Sequence, residues 1–254
     1  MVEVKLTNHT VELFNSIEEL SITRFHKYNK MLLVDSGIGG TMEDIDRHLA
    51  RIMALARQDK LDELGKEVEN MRQNIYMVQV GLNPKLLSFA ALVKSIDGEP
   101  VTDFSDEGLK NIVEKLKDEK ITDIAETLDD VKKKIDSELT AYFPSFFETA
   151  SGKEYYDLLR ERALAVLDKI TGEGDDESKV RVMADRIMTF APTRRFSGMD
   201  NAEVKHDKSF LSTCHVISQN LHSDAKDMTV AEYYSALELL REQQREQKKQ
   251  LKKK

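Results

Sequence analysis

The stretch that decides the fold is Asn83-Pro84-Lys85-Leu86-Leu87-Ser88-Phe89-Ala90-Ala91-Leu92-Val93-Lys94-Ser95-Ile96. Asparagine is a favoured N-cap and proline a favoured first helical residue, so Asn83-Pro84 predicts a helix start. The residues that follow are apolar on nearly every side of a helix, which is typical of a helix buried at the centre of a domain. The sequence therefore predicts a central helix over residues 84–96, closed by a turn at Asp97-Gly98.

Amphipathic helical patterns continue on both sides of this central helix. Apolar residues recur at spacings of three and four, and capping residues such as Ser105 stand at the starts. The patterns predict an all-α fold, a multi-helix bundle of eight or nine helices. The expected buried stripe of the helix near residues 41–56 is Ile45, Leu49, Ile52 and Leu55 or Ala56. In the helix near residues 60–80, the apolar residues that recur at three and four are Leu61, Leu64, Val68, Met71, Ile75 and Val78.

The helices form either one bundle or two lobes joined near Pro144 to Gly152. Val2, Val4 and Leu6 alternate with polar residues, which indicates an extended arm or short strand. Because no partner strand is evident, such an arm is suited to the sheet edge of a neighbour. The predicted organisation is an arm over 1–14, an N-terminal helical lobe over 15–143, a C-terminal helical lobe over 151–240 with an unpatterned loop at 191–208, and a basic helical tail over 241–254.

Composition excludes several classes of protein. A single cysteine, Cys214, excludes an intramolecular disulfide. The first residues show no signal-peptide pattern, and no apolar run approaches the ~20 residues that a membrane-spanning helix needs. A net charge of −8 argues against general affinity for nucleic acid. The sequence predicts a soluble, disulfide-free protein that is not secreted.

Charge is unevenly distributed along the chain. Residues 241–254 contain seven basic and two acidic residues, a net charge of +5, which leaves −13 for the remaining chain. A cationic segment can contact nucleic acid or an acidic partner surface, and it also complements the macrodipole of its own helix. The tail residues predicted to contact a partner are Arg241, Arg245, Lys248, Lys249 and Lys252.

The segment Asp35-Ser36-Gly37-Ile38-Gly39-Gly40-Thr41 looks like a phosphate-binding turn between a strand and a helix. It lacks the Lys-Ser/Thr of a P-loop and the spacing of GxGxxG. The segment also resembles the opening motif of aspartate/glutamate racemases, which use two opposed cysteines, whereas this chain has only Cys214. We interpret the segment as a helix C-cap followed directly by an N-cap.

Other groups of reactive side chains have ordinary explanations. His206, Cys214, His215 and His222 are zinc-capable residue types, but their spacing is not that of a zinc finger. Acidic residues such as Glu43 and Asp44 fall at predicted helix starts, where the helix dipole favours negative charge. We therefore predict no catalytic residues, no metal site and no cofactor.

The unpatterned loop holds the best candidate for binding. Arg194-Arg195-Phe196 places paired guanidinium groups beside an aromatic ring, and arginine pairs bind phosphate or carboxylate groups. Loops are also where binding residues concentrate. We expect Arg194, Arg195 and Phe196 to contact a partner.

Several segments resemble helical morphogenesis proteins of tailed bacteriophages, notably tail-assembly chaperones. The resemblance lies in Leu86 to Val101 with its Ile96-Asp97-Gly98 turn, in Asp103 to Leu109, in Met228 to Leu240 and in Arg72 to Tyr76. It implies a non-enzymatic assembly or virion structural protein (tail, neck or capsid morphogenesis). Such a protein acts in an oligomer or larger assembly through contacts with other phage proteins, in the host cytoplasm or in the virion.

Two alternatives stay open at this point. The first is an enzyme or small-ligand-binding protein that uses the glycine-rich segment 35–41. The second is a protein that contacts nucleic acid through the basic tail. Ligand-induced thermal stabilisation would favour the first, and steeply salt-dependent binding would favour the second.

Overall fold

The computed structural model describes most of the chain as helix, with a small sheet. In the ranges that it describes, eleven α-helices and four β-strands are found, and the protein is 73% helical. The helix count exceeds the predicted eight or nine, partly because of one four-residue helix at Pro144–Phe147. The structure describes residues 2–35, 42–147, 150–171, 177–198 and 201–251, without the side chains of 150–153.

The four strands lie within the first hundred residues, and the described elements after them are helices. In chain order they are β1 Val2–Lys5, β2 Thr10–Leu13, α1 Ile22–Val34, α2 Met42–Arg57, α3 Leu61–Gln79, α4 Pro84–Leu92, β3 Val93–Ile96, β4 Glu99–Pro100, α5 Asp106–Lys115, α6 Ile121–Tyr142, α7 Pro144–Phe147, α8 Ala150–Thr171, α9 Glu177–Met188, α10 Ala202–Leu221 and α11 Val230–Leu251. None of the described helices is long and apolar enough to cross a membrane.

The predicted extended arm is part of a four-stranded antiparallel sheet with the order β1-β2-β3-β4. Val11 pairs with Ile96 and Leu13 with Val93, and both Val11 and Leu13 are fully buried. The prediction of a predominantly helical fold is confirmed, but the helices are joined by this small sheet, and the residues predicted as an extended arm pair within the chain. The alternating pattern was correct, but its partner strand lay inside the apolar run that had been assigned to a helix.

The central helix ends four residues earlier than predicted, at Leu92. Val93 to Ile96 then forms β3, whose hairpin turn has positive φ angles at Asp97 (52°) and Gly98 (82°). Two consecutive positive φ angles define the type I′ turn that joins antiparallel strands, and Asp-Gly is a favoured sequence for it. The predicted turn was correct, but it closes a strand hairpin and not a helix.

A buried arginine on α1 satisfies the backbone where α4 becomes β3. The Arg24 guanidinium donates hydrogen bonds to the carbonyl oxygens of Val93 at 2.9 Å and Val101 at 2.7 Å, and a longer one to Ala91 at 3.4 Å. It also lies 4.5 Å from the ring centroid of Phe104, and burial lowers its pKa. Carbonyls at a helix end lack intrahelical partners, so Arg24 supplies donors that the helix itself cannot.

The core surrounds α4, as the sequence predicted. Phe89 and Leu92 are fully buried, and α4 packs against α1, α5 and α6. The same cluster includes residues from both sides of the predicted boundary near Pro144, so the core is continuous across it. Its members from the other elements include Phe25, Tyr28, Ile112, Leu116, Ile124, Leu128, Ile135, Leu139, Ile217, Val230, Tyr233 and Leu240.

Two segments far apart in sequence are joined by backbone hydrogen bonds. The Val230 amide donates to the Leu20 carbonyl, and the Ile22 amide donates to the Met228 carbonyl, each at 2.9 Å. These bonds join the segment before α1 to the segment before α11. The chain therefore completes its core by bringing its first and last described helices together.

Helix starts follow the capping chemistry, although two predicted starts were misplaced. Asn83 and Ser105 cap α4 and α5 as predicted. Ser16 and Glu19 have the spacing of a capping box, which predicts a helix start there, but the first helix begins after Ser21. Asn201 accepts from the amides of residues 203 and 204, so α10 begins at Ala202 and the predicted loop 191–208 ends at Asn201.

Gly108 and Gly65 differ in the space that is available for an added Cβ atom. A Cβ at Gly108 would overlap the Asp103 carbonyl oxygen, whereas a Cβ at Gly65 in α3 would meet nothing within 4 Å. We expect Gly108→Ala to destabilise the protein by about 1–3 kcal/mol and Gly65→Ala to stabilise it by about 0.5–1 kcal/mol. Urea unfolding midpoints measure both changes. Equal effects of the two substitutions would contradict this packing.

Candidate interaction surfaces

The helices α2 and α3 direct a polar face toward the rest of the protein. His48 Nδ1 and Arg51 Nε each lie 3.3 Å from the Glu67 carboxylate. Asn74 donates to the Val34 carbonyl at 2.8 Å, and Asn70 donates to a loop carbonyl. His48, Glu67, Asn70 and Asn74 are all buried. The interior side of this hairpin is therefore held by hydrogen bonds and ion pairs.

The predicted buried stripe of α2 is buried only in part: Leu55 is buried, whereas Leu49 is exposed. The apolar row of α3 is likewise divided between half-buried side chains and the exposed Leu61 and Val68. At 100° per residue, Leu61 and Val68 lie about 100° or more around α3 from Glu67 and Asn74. Because the buried polar residues of α3 contact the body, Leu61 and Val68 face away from it.

We call the exposed part of these stripes the outer seam. It consists of five side chains on the two packed helices α2 and α3. Isolated exposed apolar residues are ordinary, whereas a continuous set along two helices is typical of an interaction surface. The exposed fractions are 72% for Met42, 45% for Leu49, 59% for Met53, 64% for Leu61 and 40% for Val68.

A cleft of about 870 Å³ lies where α2 meets α6 and α9. Its charges are largely paired: Lys85 lies 2.6 Å from Asp44, and Arg51 contacts Glu67. Burial lowers the pKa of His48, against the opposing effect of Glu67. His48 Nε2 is buried and has no hydrogen-bond partner among the described residues. The His48–Glu67 pair therefore does not present a solvent-facing base.

The loop that carries the predicted arginines is fixed to α2 and α3 through its backbone. Arg51 donates to the Ala191 carbonyl at 2.7 Å, and the Thr193 amide donates to Glu63 at 3.0 Å. Asn70 donates to the Arg194 carbonyl at 3.0 Å. These contacts hold the loop without using the side chains of Arg194 and Arg195.

The structure separates the three loop residues that were predicted to contact a partner. Phe196 is buried, so its ring anchors the loop and is withdrawn from the surface. Arg194 and Arg195 are exposed. They line a pocket of about 440 Å³ with Leu33, Ala202, Lys205 and His206, and we call this the arginine pocket.

The wall of the arginine pocket is rigidly packed. His206 stacks on His26 with a centroid distance of 4.4 Å and an interplanar angle of 8°, and Phe210 stacks on the same ring. His26 Nε2 lies 2.8 Å from Asp207. Burial lowers the pKa of His206, so its imidazole is neutral at pH 7. The pocket's charge therefore comes from arginine and lysine.

The basic tail continues α11 as an exposed helix. Leu240 is the last buried residue, and residues 241–251 are exposed. Arg241 is engaged within the protein, because its guanidinium lies 3.6 Å from the ring centroid of Phe146. Arg245, Lys248 and Lys249 are exposed, and Lys252 lies outside the described residues.

The other sequence candidates are only partly described. Residues 36–41 of the glycine-rich segment lie outside the described residues, but the element before them is helix α1 and not the strand of a phosphate-binding turn. Cys214 is buried, and His215 lies 2.9 Å from Gln219. Within the described ranges, no three His, Cys, Asp or Glu side chains are grouped to hold a metal ion.

The geometry defines a helical protein with a small antiparallel sheet, an uncovered apolar seam and a cationic pocket. No family model, no curated protein and no solved structure matches the chain. The sequence predicted Arg194 and Arg195 as binding residues, but it did not predict the exposed apolar side chains of the outer seam. The signal was present in α3, where Glu67, Asn70 and Asn74 form a polar stripe suited to a buried hydrogen-bonded interface.

Proposed function

We propose that this protein is a non-enzymatic bacteriophage assembly or virion structural component that acts through protein–protein contacts. The phage assignment is supported by the resemblance of residues 86–109 and 228–240 to phage morphogenesis proteins. The observation that carries the interaction role is the outer seam, in which five large apolar side chains on two packed helices are exposed. The proposed partners are other structural or assembly proteins of the same phage.

The proposed occupant of the outer seam is an amphipathic helix of another protein chain. Two packed helices leave a groove between them, and such grooves bind helices through apolar residues at spacings of three and four. Met42 and Met53 contribute flexible side chains that adapt to a partner surface. Gly65, which lies one turn from Leu61 and Val68, has open space at its Cβ position and permits close approach of a helix backbone.

The test compares two double variants in complexes with the proteins encoded beside this gene. Met53→Glu/Val68→Glu places two carboxylates in the seam and is expected to weaken a specific complex at least tenfold, because charges are costly to bury without partners. Asn111→Glu/Ser137→Glu adds the same charge at exposed positions on α5 and α6 and should leave binding unchanged. Co-purification followed by titration calorimetry measures both.

Two results would overturn the proposal. One is that the seam variant forms the same complexes with unchanged affinity. The other is that the wild-type protein binds none of the neighbouring gene products and instead binds DNA. DNA binding that is steeply salt-dependent and disappears on deletion of residues 241–254 would establish the nucleic-acid alternative, which the exposed basic end of α11 favours.

A further inference from the structure

The arginine pocket is lined by two arginines that form no ion pair within the described part of the chain. Neither the Arg194 nor the Arg195 guanidinium lies within 4 Å of any described carboxylate. Two acidic groups of the same region are engaged by lysines: Asp207 lies 2.7 Å from Lys30, and Asp62 lies 2.6 Å from Lys66. Arg195 also lowers the pKa of Asp62, but less than Lys66 does.

The pocket is fixed before any ligand arrives. The carbonyl of Arg194 accepts from Asn70, and the carbonyl of Arg195 accepts from the Ala202 amide at 2.8 Å. Asn201 additionally donates to the Phe196 carbonyl at 2.8 Å. A backbone held at three consecutive residues keeps the two adjacent arginines at the pocket rim. Preorganisation of this kind reduces the entropy lost on binding.

We propose that the arginine pocket binds neighbouring carboxylates of an acidic segment in a partner protein. Guanidinium groups form bidentate, charge-assisted hydrogen bonds with carboxylates. A nucleic acid is a poorer fit, because its affinity comes from a series of phosphate contacts along an extended cationic track. The pocket is a local concavity of about 440 Å³ in a chain whose net charge is −8. The assignment of the segment to a protein partner rests on the proposed function.

The probe for the test is a fluorescently labelled hexaglutamate peptide at low ionic strength, with binding measured by anisotropy. Arg194→Ala/Arg195→Ala is expected to weaken binding about tenfold or more, because each charge-assisted bond contributes to affinity. Arg194→Lys/Arg195→Lys keeps the charge but loses bidentate geometry, so an intermediate loss is expected. Arg160→Ala/Arg162→Ala removes two positive charges from exposed positions on α8 and should bind as the wild type does.

Three outcomes would overturn the inference. They are unchanged binding by the Arg194→Ala/Arg195→Ala variant, an equal loss in the α8 variant, and tighter binding of a labelled oligothymidylate that depends on Arg194 and Arg195. Met53→Glu/Val68→Glu should still bind the peptide, since it leaves the pocket intact. If the peptide fails to bind while the seam still governs complex formation, this inference falls and the proposed function stands.

Discussion

Arg24→Met is expected to destabilise the protein by about 3 kcal/mol or more. Methionine fills much of the volume but donates no hydrogen bonds, so the carbonyls of Val93 and Val101 lose the donors that the guanidinium supplies at 2.9 and 2.7 Å. A buried polar group left without its partner costs about 1–3 kcal/mol. The loss of the contact with the Phe104 ring adds to this cost.

Arg24→Lys distinguishes geometry from charge. A lysine ammonium keeps the positive charge but lacks the planar fork that reaches carbonyls on two separate segments. We expect an intermediate loss of stability for this variant. Arg162→Met, at an exposed position on α8, is the matched control and should change stability by less than about 0.5 kcal/mol. Urea unfolding followed by circular dichroism measures all three.

The role assigned to Arg24 depends on the absence of a nearby counter-ion. Among the described residues, no carboxylate forms an ion pair with its guanidinium, which contacts backbone carbonyls and the rings of Phe14 and Phe104. If Arg24→Met unfolded at the same urea concentration as the wild type, the carbonyls would have found other donors. The junction between α4 and β3 would then need another explanation.

Leu13→Ala is expected to destabilise the protein by about 2–5 kcal/mol. The Leu13 side chain is fully buried in the cluster that surrounds α4. Truncation removes apolar contacts and leaves a cavity, whose combined cost falls in this range for core leucines. The change in unfolding free energy from urea titration measures it, with the thermal midpoint as a second observable.

The matched control for Leu13→Ala lies on the neighbouring strand. Glu3 in β1 is exposed and pairs with Glu12 across the sheet, so Glu3→Ala should change stability by less than about 0.5 kcal/mol. The comparison also decides between two views of the N-terminal residues. A free arm predicts that neither substitution affects stability, whereas a strand of the core sheet predicts a large effect for Leu13→Ala alone.

Local chemistry predicted most helices well. The periodicity of α3 and the caps at Asn83 and Ser105 depend only on residues that are close in sequence. The observed starts of α3, α4 and α5 lie within one or two residues of the predicted ones. Capping depends on hydrogen bonds within one turn, so it can be inferred without knowledge of the rest of the fold. The central position of α4 could likewise be predicted, because a helix that is apolar on all sides must be buried.

Long-range pairing explains what could not be predicted. The strand Val93–Ile96 has an apolar sequence that fits the end of a helix, and it becomes a strand because β2, some eighty residues earlier, pairs with it. The orientation of α3 is likewise set by distant groups, the carbonyls of Val34 and Arg194. A sequence shows that a helix has an apolar and a polar face. It does not show which of the two faces packs against residues that are distant in sequence.

The arginine pocket also combines features that local sequence predicts with features that depend on long-range packing. Arg194 and Arg195 were identified from residue type and from their place in a loop, both of which are local properties. The burial of Phe196 and the contribution of His206 to the same pocket depend on the packing of α10 against α1. The outer seam was not predicted, because apolar residues of α2 such as Leu49 were expected to be buried.

The pairing between the segments before α1 and α11 has a consequence for biosynthesis. Leu20 and Ile22 leave the ribosome early, but their partners Val230 and Met228 follow about 200 residues later. At ordinary elongation rates this interval lasts roughly 10–40 s. During that time the nascent chain displays its N-terminal apolar residues, and general chaperones that bind apolar segments have an opportunity to contact them. Native closure therefore comes late in the synthesis of the chain.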